Sequence, residues 1–229
     1  MIKIDNVEVY GWQAAVRGMR NPMNSWEQSD SGDGCDNGIC GNCGFKFDWC
    51  GNTPKYKIGE KDLDLMKRLV KAGSDHSKFM RMITVTCDIT APLYWWKEFD
   101  TYKVGTVRNS CSTMHKIHAK KFDLDDFSYN KLDSKSLRVL HYIITYLNGM
   151  REWYSDADPN FKKDAWWQII QLLPSSYNQK ATVQLNYAVL RNMYHGRKHH
   201  KLDEWSVGFC DWVETLPYSE LITMEVGNE

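Results

Sequence analysis

The stretch ATVQLNYAVLRNMYHGRK, residues 181–198, changes its apolar period at Asn186. Ala181, Val183 and Leu185 alternate with polar residues, which predicts a short strand over ATVQLN, and the remainder predicts a helix through YAVLRNMYHGRK. A second strand must pair with the first. MITVTCDIT, residues 82–90, supplies it: Ile83, Val85, Cys87 and Ile89 alternate with Thr84, Thr86, Asp88 and Thr90, the pattern of a half-buried strand. Pro92 then stands where a helix begins, and Leu93, Trp96 and Phe99 follow at three-residue spacing.

Working outward, Ile2 to Tyr10 alternates like a strand and leads into AAVRGMRNPMNSW, which turns at Asn21-Pro22. KDLDLMKRLVKAG predicts a helix with Leu63, Met66, Leu69 and Val70 on one face and Gly73 as its stop. A long helix with Leu137, Leu140, Ile144 and Leu147 on one face is followed by another over DAWWQIIQLLP, ended by Pro174. The last helix, DEWSVGFCDWVETLP, has Asp203 as its candidate N-cap and Trp205, Phe209, Trp212, Val213 and Leu216 as its buried face. Helices with a few strands that must pair give an α/β or α+β class.

Composition narrows the functions. With 229 residues and 42% hydrophobic content, one domain with a substantial core is expected, spanning 1–229. The 29 basic and 29 acidic residues create no global field, so nothing here argues for nucleic acid or an anionic membrane, and any anion site must be local. The apolar run VLHYIITYL is too short to span a bilayer, and MIKIDNVEVYGW reads as a strand rather than a signal peptide, so a cytoplasmic protein is expected. The ten Trp and twelve Tyr are read as packed core aromatics for the most part.

Between about residues 27 and 57 the composition shifts to Gly, Asp, Asn and Ser, which reads as a loop or insertion. Cys35, Cys40, Cys43 and Cys50 lie in it. Four thiolates in a core-poor loop fit structural zinc, with unpaired surface cysteines and an iron–sulfur cluster as the alternatives. His115 and His118 have metal-like spacing but no neighbouring carboxylate. RKHHK, residues 197–201, is locally basic and reads as a solvated face before it reads as a nucleic-acid contact.

Two blocks carry a resemblance. Leu173-Pro174, Asn186, Leu190, Asn192 and Arg197 fall without a gap into the register of Leu-Pro, Asn-x-Arg-x-Leu, Asn and a helix-ending Arg. His76 in GSDHSKF, then the strand and Ala91-Pro92, form the other block. Both resemble the flavin-dependent thymidylate synthases, a family that methylates dUMP using FAD, NADPH and methylenetetrahydrofolate. The similarity covers roughly Leu63 to Trp205, with a weaker match around Ser25, which takes the place of a family Ser near the flavin.

The family's defining run, R-H-R-x-x-S-x-N-E-x-S-x-R, aligns with TYKVGTVRNSCST, residues 101–113. Thr101, Tyr102 and Lys103 replace its first three residues, Thr106 its Ser, Arg108-Asn109 its Asn-Glu, Cys111 the later Ser and Thr113 the last Arg; Ala188 replaces the Arg of Asn-x-Arg. The signature is therefore absent, and Lys103 offers a point charge in place of a bidentate fork.

The resemblance implies a mixed sheet covered by helices, and a homotetramer with sites between subunits. It implies an FAD-dependent one-carbon transfer to dUMP or a related pyrimidine nucleotide, with NADPH and methylenetetrahydrofolate as co-substrates. Arg197 would be the catalytic group, favouring negative charge on the uracil. Substrate would meet Glu98, Arg108, Cys111 and Arg197; flavin would meet His76, Lys103, Asn186 and Asn192. Cys111 read alone is a covalent nucleophile or, more simply, a buried inert thiol. The alternatives are a nucleotide-binding protein of the same fold without synthase activity and a zinc-stabilised interaction protein.

Overall fold

The computed structural model describes residues 2–35, 38, 39 and 55–225. Its centre is a four-stranded sheet of β1 (Lys3–Tyr10), β5 (Thr84–Pro92), β7 (Asn178–Asn186) and β6 (Val107–Ser110), in that order. Every ladder in it is antiparallel, where a mixed sheet was expected. A second, three-stranded sheet forms within the Gly-rich region from β2 (Gly32–Cys35), β3 (Gly38–Ile39) and β4 (Lys55–Lys57), so the segment that reads as a loop or insertion carries strands of its own.

The central pair is built from the two stretches whose alternation is clearest. β5 and β7 run in unbroken register from Thr84 opposite Asn186 to Pro92 opposite Asn178. Val85, Cys87, Ile89, Ala181, Val183 and Leu185 are all at most 1% exposed, and each large apolar side chain so buried stabilises the fold by about 1.5–3 kcal/mol. On the opposite face Asp88 accepts from Asn6 (2.9 Å) and Thr182 (2.6 Å) and pairs with Lys180 (2.9 Å). Those partners, Thr182 first, hold its carboxyl well below the usual carboxylate range.

Helices cover the apolar face: α1 (Trp12–Arg20), α2 (Glu60–Lys71), α3 (Leu93–Phe99) and, after β7, α6 (Tyr187–Arg197). In α2 the buried face is Asp62, Leu65, Met66 and Val70, with Leu63 and Leu69 only half-buried, a rotation from the predicted stripe. The cause is Asp62, which Arg20 draws inward. Gly73 ends the helix region at φ +103°. In α3, Trp95 joins Trp96 and Phe99 inside while Leu93 is half-buried.

The long helix α4 (Ser134–Asp156) and α5 (Pro159–Leu172) form a hairpin with its own cluster around Leu140, Ile144, Leu147 and Ile169, closed by Ile117, Phe122 and Phe127. Leu137 of the expected stripe is half-buried. Asp203 does not cap the last helix; it pairs with Lys131 at 2.6 Å, and the chain enters through a π-helical turn, Glu204–Phe209. α7 (Cys210–Glu214) and α8 (Glu220–Thr223) complete the chain, with Trp205, Phe209, Val213 and Leu216 buried as expected and Trp212 half-buried. No helix among the described residues is long and apolar enough to cross a membrane.

Candidate functional site

The antiparallel register brings two distant segments to one end of the sheet. α3 leaves β5 opposite Asn178, and the turn after it returns to the start of α6, where Gly105 (φ +77°) sits so close that a Cβ would lie 2.9 Å from Asn186 Nδ2. Asn186 caps α6, its Oδ1 accepting from Val189 N at 3.0 Å. Thr101 and Thr106 donate their hydroxyls to the carbonyls of Glu98 (2.7 Å) and Tyr102 (2.5 Å), closing the turn on itself.

That turn positions the cluster around Arg197. Its Nη1 donates to Glu98 Oε2 at 2.9 Å and its Nε to the Tyr102 hydroxyl at 2.8 Å. The guanidinium lies over the Trp205 ring (5.0 Å) and the Tyr102 ring (5.3 Å). Beneath it, Trp205 stacks on Trp95 at 4.4 Å, part of a buried aromatic group with Trp96, Phe99 and Phe209. The side chain is 12% exposed, so Arg197 is a packed residue and not a free surface charge. Nη2 makes no hydrogen bond among the described residues. Burial, then the Arg197 charge, lowers the pKa of His200 next to it.

A cleft of about 410 Å³ opens on a side of α6, where Arg191, Asn192 and His195 face Ser74, Ser77 and Arg81. His76 itself is exposed in the turn between those serines and does not line the cleft. Arg191 donates to the Ile222 carbonyl at 2.8 Å, His195 Nε2 lies 3.1 Å from the same oxygen, and Lys198 pairs with Glu225. Two of the five residues of the basic run are thus committed: Arg197 to Glu98 and Lys198 to Glu225.

The other sequence-predicted residues fall elsewhere. Arg108 lies 3.0 Å from Asp100 without a well-aligned hydrogen bond, and stacks over Trp96 at 4.7 Å. Cys111 is exposed, correcting the buried reading, and its amide donates to Lys180 O. It therefore sits beside Lys180, six residues down β7 from Asn186, about 20 Å along the strand at roughly 3.3 Å per residue. Lys103 is exposed on the turn. Ser25 is buried and accepts from Arg20 Nη1 at 3.3 Å, inside the network that holds Asp62. Cys35, Cys40, Cys43 and Cys50 lie outside the residues whose side chains are described; among those that are, no group of three or more His, Cys, Asp or Glu could hold a metal.

No protein-family profile matches the sequence, and no curated relative does. Solved structures do. The flavin-dependent thymidylate synthase of Helicobacter pylori, complexed with FAD and dUMP, matches with TM-score 0.64 and 17% identity over 96% of this chain and 98% of that one. The fold is of that kind. A second structure of the H. pylori enzyme with the same two ligands agrees (TM-score 0.64, 16% identity, 97% and 98% covered). So does a UMP/dUMP methylase from Streptomyces cacaoi bound with 5-Br dUMP (TM-score 0.56, 12% identity, 97% and 95% covered).

The sequence brings Glu98 and Arg197 together only as members of one expected substrate set. Their contact across 99 positions, and the roles of Tyr102 and Trp205 in it, had no local signal. Tyr102 registered only as the loss of a family residue, and Trp205 as core. Arg81 and Arg191 were equally silent, since an isolated Arg on a helix has no pattern that marks it.

Proposed function

We propose that this chain is a divergent relative of the flavin-dependent thymidylate synthases that binds a pyrimidine nucleotide at Arg197 and transfers a one-carbon unit to its ring. The observation that carries the reading is the guanidinium of Arg197, oriented by Glu98 and Tyr102 over Trp205, with Nη2 left without a partner among the described residues. A fixed cation against an aromatic floor is suited to a planar ring that gains negative charge, because its position costs no reorganisation when that charge develops. Glu98 and Tyr102 hold the fork; the pyrimidine ring would lie against it.

The residues present fit a flavin nucleotide in the neighbouring cleft. Arg81 and Arg191 supply charge, Ser74 and Asn192 supply hydrogen-bonding groups, and about 410 Å³ is within the usual range of roughly 300–1,000 Å³ for a ligand site. When bound, the flavin supplies the redox step, with NADPH and methylenetetrahydrofolate as the proposed source of electrons and carbon. Buried phosphate oxygens need charge-assisted donors, which is the work assigned to Arg81 and Arg191.

The test is the visible absorbance of the purified protein, as isolated and after incubation with FAD, followed by dUMP titration. A bound-flavin spectrum that dUMP perturbs is expected. Nucleotide binding with no flavin under any condition would replace this reading with the second one, a nucleotide-binding protein that has lost the transfer. What favours that second reading is Arg108, the one guanidinium between Thr101 and Thr113, which is held by Asp100 and Trp96. Absence of both ligands would remove both readings.

A further inference from the structure

A separate pocket lies away from Arg197, where the turn before Ile117 meets the start of α5 and the end of α4. Its volume is about 380 Å³, and its walls combine Lys162, Lys163, His115 and His118 with the rings of Tyr154 and Trp166; no carboxylate lines it. The turn is tied down: Ser112 Oγ accepts from the amides of Met114 (3.2 Å) and His115 (2.9 Å), and Trp166 Nε1 donates to Met114 O at 2.8 Å. The Trp166 indole is thereby fixed at the pocket wall rather than free on the helix. The His118 ring stacks on Tyr154 at 4.0 Å, and Lys162 Nζ lies 5.6 Å from the same ring.

Neither Lys162 nor Lys163 has a carboxylate partner among the described residues, although acidic residues are as numerous as basic ones in the chain. The positive field this leaves is visible at His118: burial first, then Lys116 and Lys162, lower its pKa. Its Nδ1 has no hydrogen-bond partner among the described residues. Two lysines lining the same pocket rule against the two histidines as a metal site, because a divalent cation would meet like charge there. They favour an anion, and the aromatic walls favour a flat ring beside it.

We propose that this pocket binds a mononucleotide, its phosphate between Lys162 and Lys163 and its base against Trp166 and Tyr154. The site is independent of the one at Arg197 and does not rest on the function proposed for it. The two lysines act as phosphate donors, and the aromatic faces accept any base, so recognition is by class and not by base identity.

Calorimetric titration of the full chain with adenosine monophosphate and with ribose 5-phosphate tests this, since neither probe offers the pyrimidine that the Arg197 site is proposed to take. The monophosphate should bind one to one and about tenfold tighter than the ringless sugar phosphate, the contribution of one stacked base. Lys162→Ala/Lys163→Ala should weaken both probes by about tenfold or more, while helix content and melting temperature stay put because alanine is at home in a helix. Trp166→Leu should remove the advantage of the ring, and Arg197→Ala should leave both affinities unchanged. No saturable heat with adenosine monophosphate, equal affinity for the two probes, or wild-type binding by the double lysine variant would each overturn the proposal.

Discussion

Arg197 and Glu98 meet at 2.9 Å although 99 positions separate them in the chain, and the contact joins the end of α6 to the end of α3. It also sets the electrostatics of the candidate site. A carboxylate that orients the guanidinium also cancels part of its charge. Glu98 is 43% exposed, so solvent screens the pair and its worth to stability is modest.

Arg197→Ala should therefore do two measurable things. It should lower stability by about 1–2 kcal/mol in urea, because the side chain packs on Trp205 and Tyr102 as well as pairing with Glu98. It should also weaken dUMP binding by about tenfold, the value of one lost charge-assisted contact. Arg197→Lys keeps the charge and loses the fork, and should recover less than half of that binding energy. An Arg197→Ala protein with wild-type stability would mean the residue is a free surface charge after all.

A second prediction concerns Asp62, which is fully buried and receives Arg20 Nε (2.6 Å), Ser29 Oγ (2.6 Å) and Ser31 Oγ (2.6 Å). Burial alone would raise its pKa, but the two serine hydroxyls and Arg20 outweigh it and the net shift is downward. A carboxylate whose folded pKa is depressed contributes stability that is present above its unfolded pKa of about 3.9 and is lost as pH falls through the folded value. The melting temperature should consequently fall below about pH 4, and Asp62→Asn should flatten that fall. Asp62→Ala leaves the buried Arg20 uncompensated and should cost about 3–5 kcal/mol by urea titration.

The capping role of Asn186 yields a third. Its side chain already accepts the Val189 amide, so Asn186→Ala should cost about 1 kcal/mol of stability whether or not any flavin binds. Asn186→Ser, which can still cap, should recover most of it. A flavin-binding role would show separately, as lost FAD affinity in the Ser variant despite normal stability.

These residues also show what the chain's text could and could not convey. β5 and β7 were legible because one face of each is covered and the other is wet, which writes a period of two into the sequence. The helix α6 and its start at Asn186 were legible for the same reason, as an abrupt change of period. The rotation of α2 was not, since nothing local says that Asp62 rather than Leu63 turns inward; that depends on Arg20, 42 positions earlier. The π-turn at Glu204 looks in sequence like an ordinary capped helix because Asp203 has the right residue type, and only tertiary contacts show Asp203 committed to Lys131. At the site the register against a known family located Arg197, but its partner and its aromatic floor come from the return of the chain after α3.

The last prediction sets two glycines against each other. Gly11 has φ +92°, and a Cβ there would lie 1.9 Å from the Met82 carbonyl oxygen, a backbone atom that cannot step aside. Gly11→Ala must therefore move α1 away from the 3-10 turn at Lys78–Met82, and combines a disfavoured backbone conformation with a clash; a loss of more than about 2 kcal/mol is expected. Gly149 lies inside α4 with nothing within 4 Å of its Cβ position. There the helix is regular and the space is open, so Gly149→Ala should stabilise by about 0.5–1 kcal/mol through the unfolded chain's reduced freedom. Urea midpoints measured side by side give both signs in one experiment. If both variants shifted the same way, the close approach of Gly11 to Met82 would not be what fixes α1 against the core.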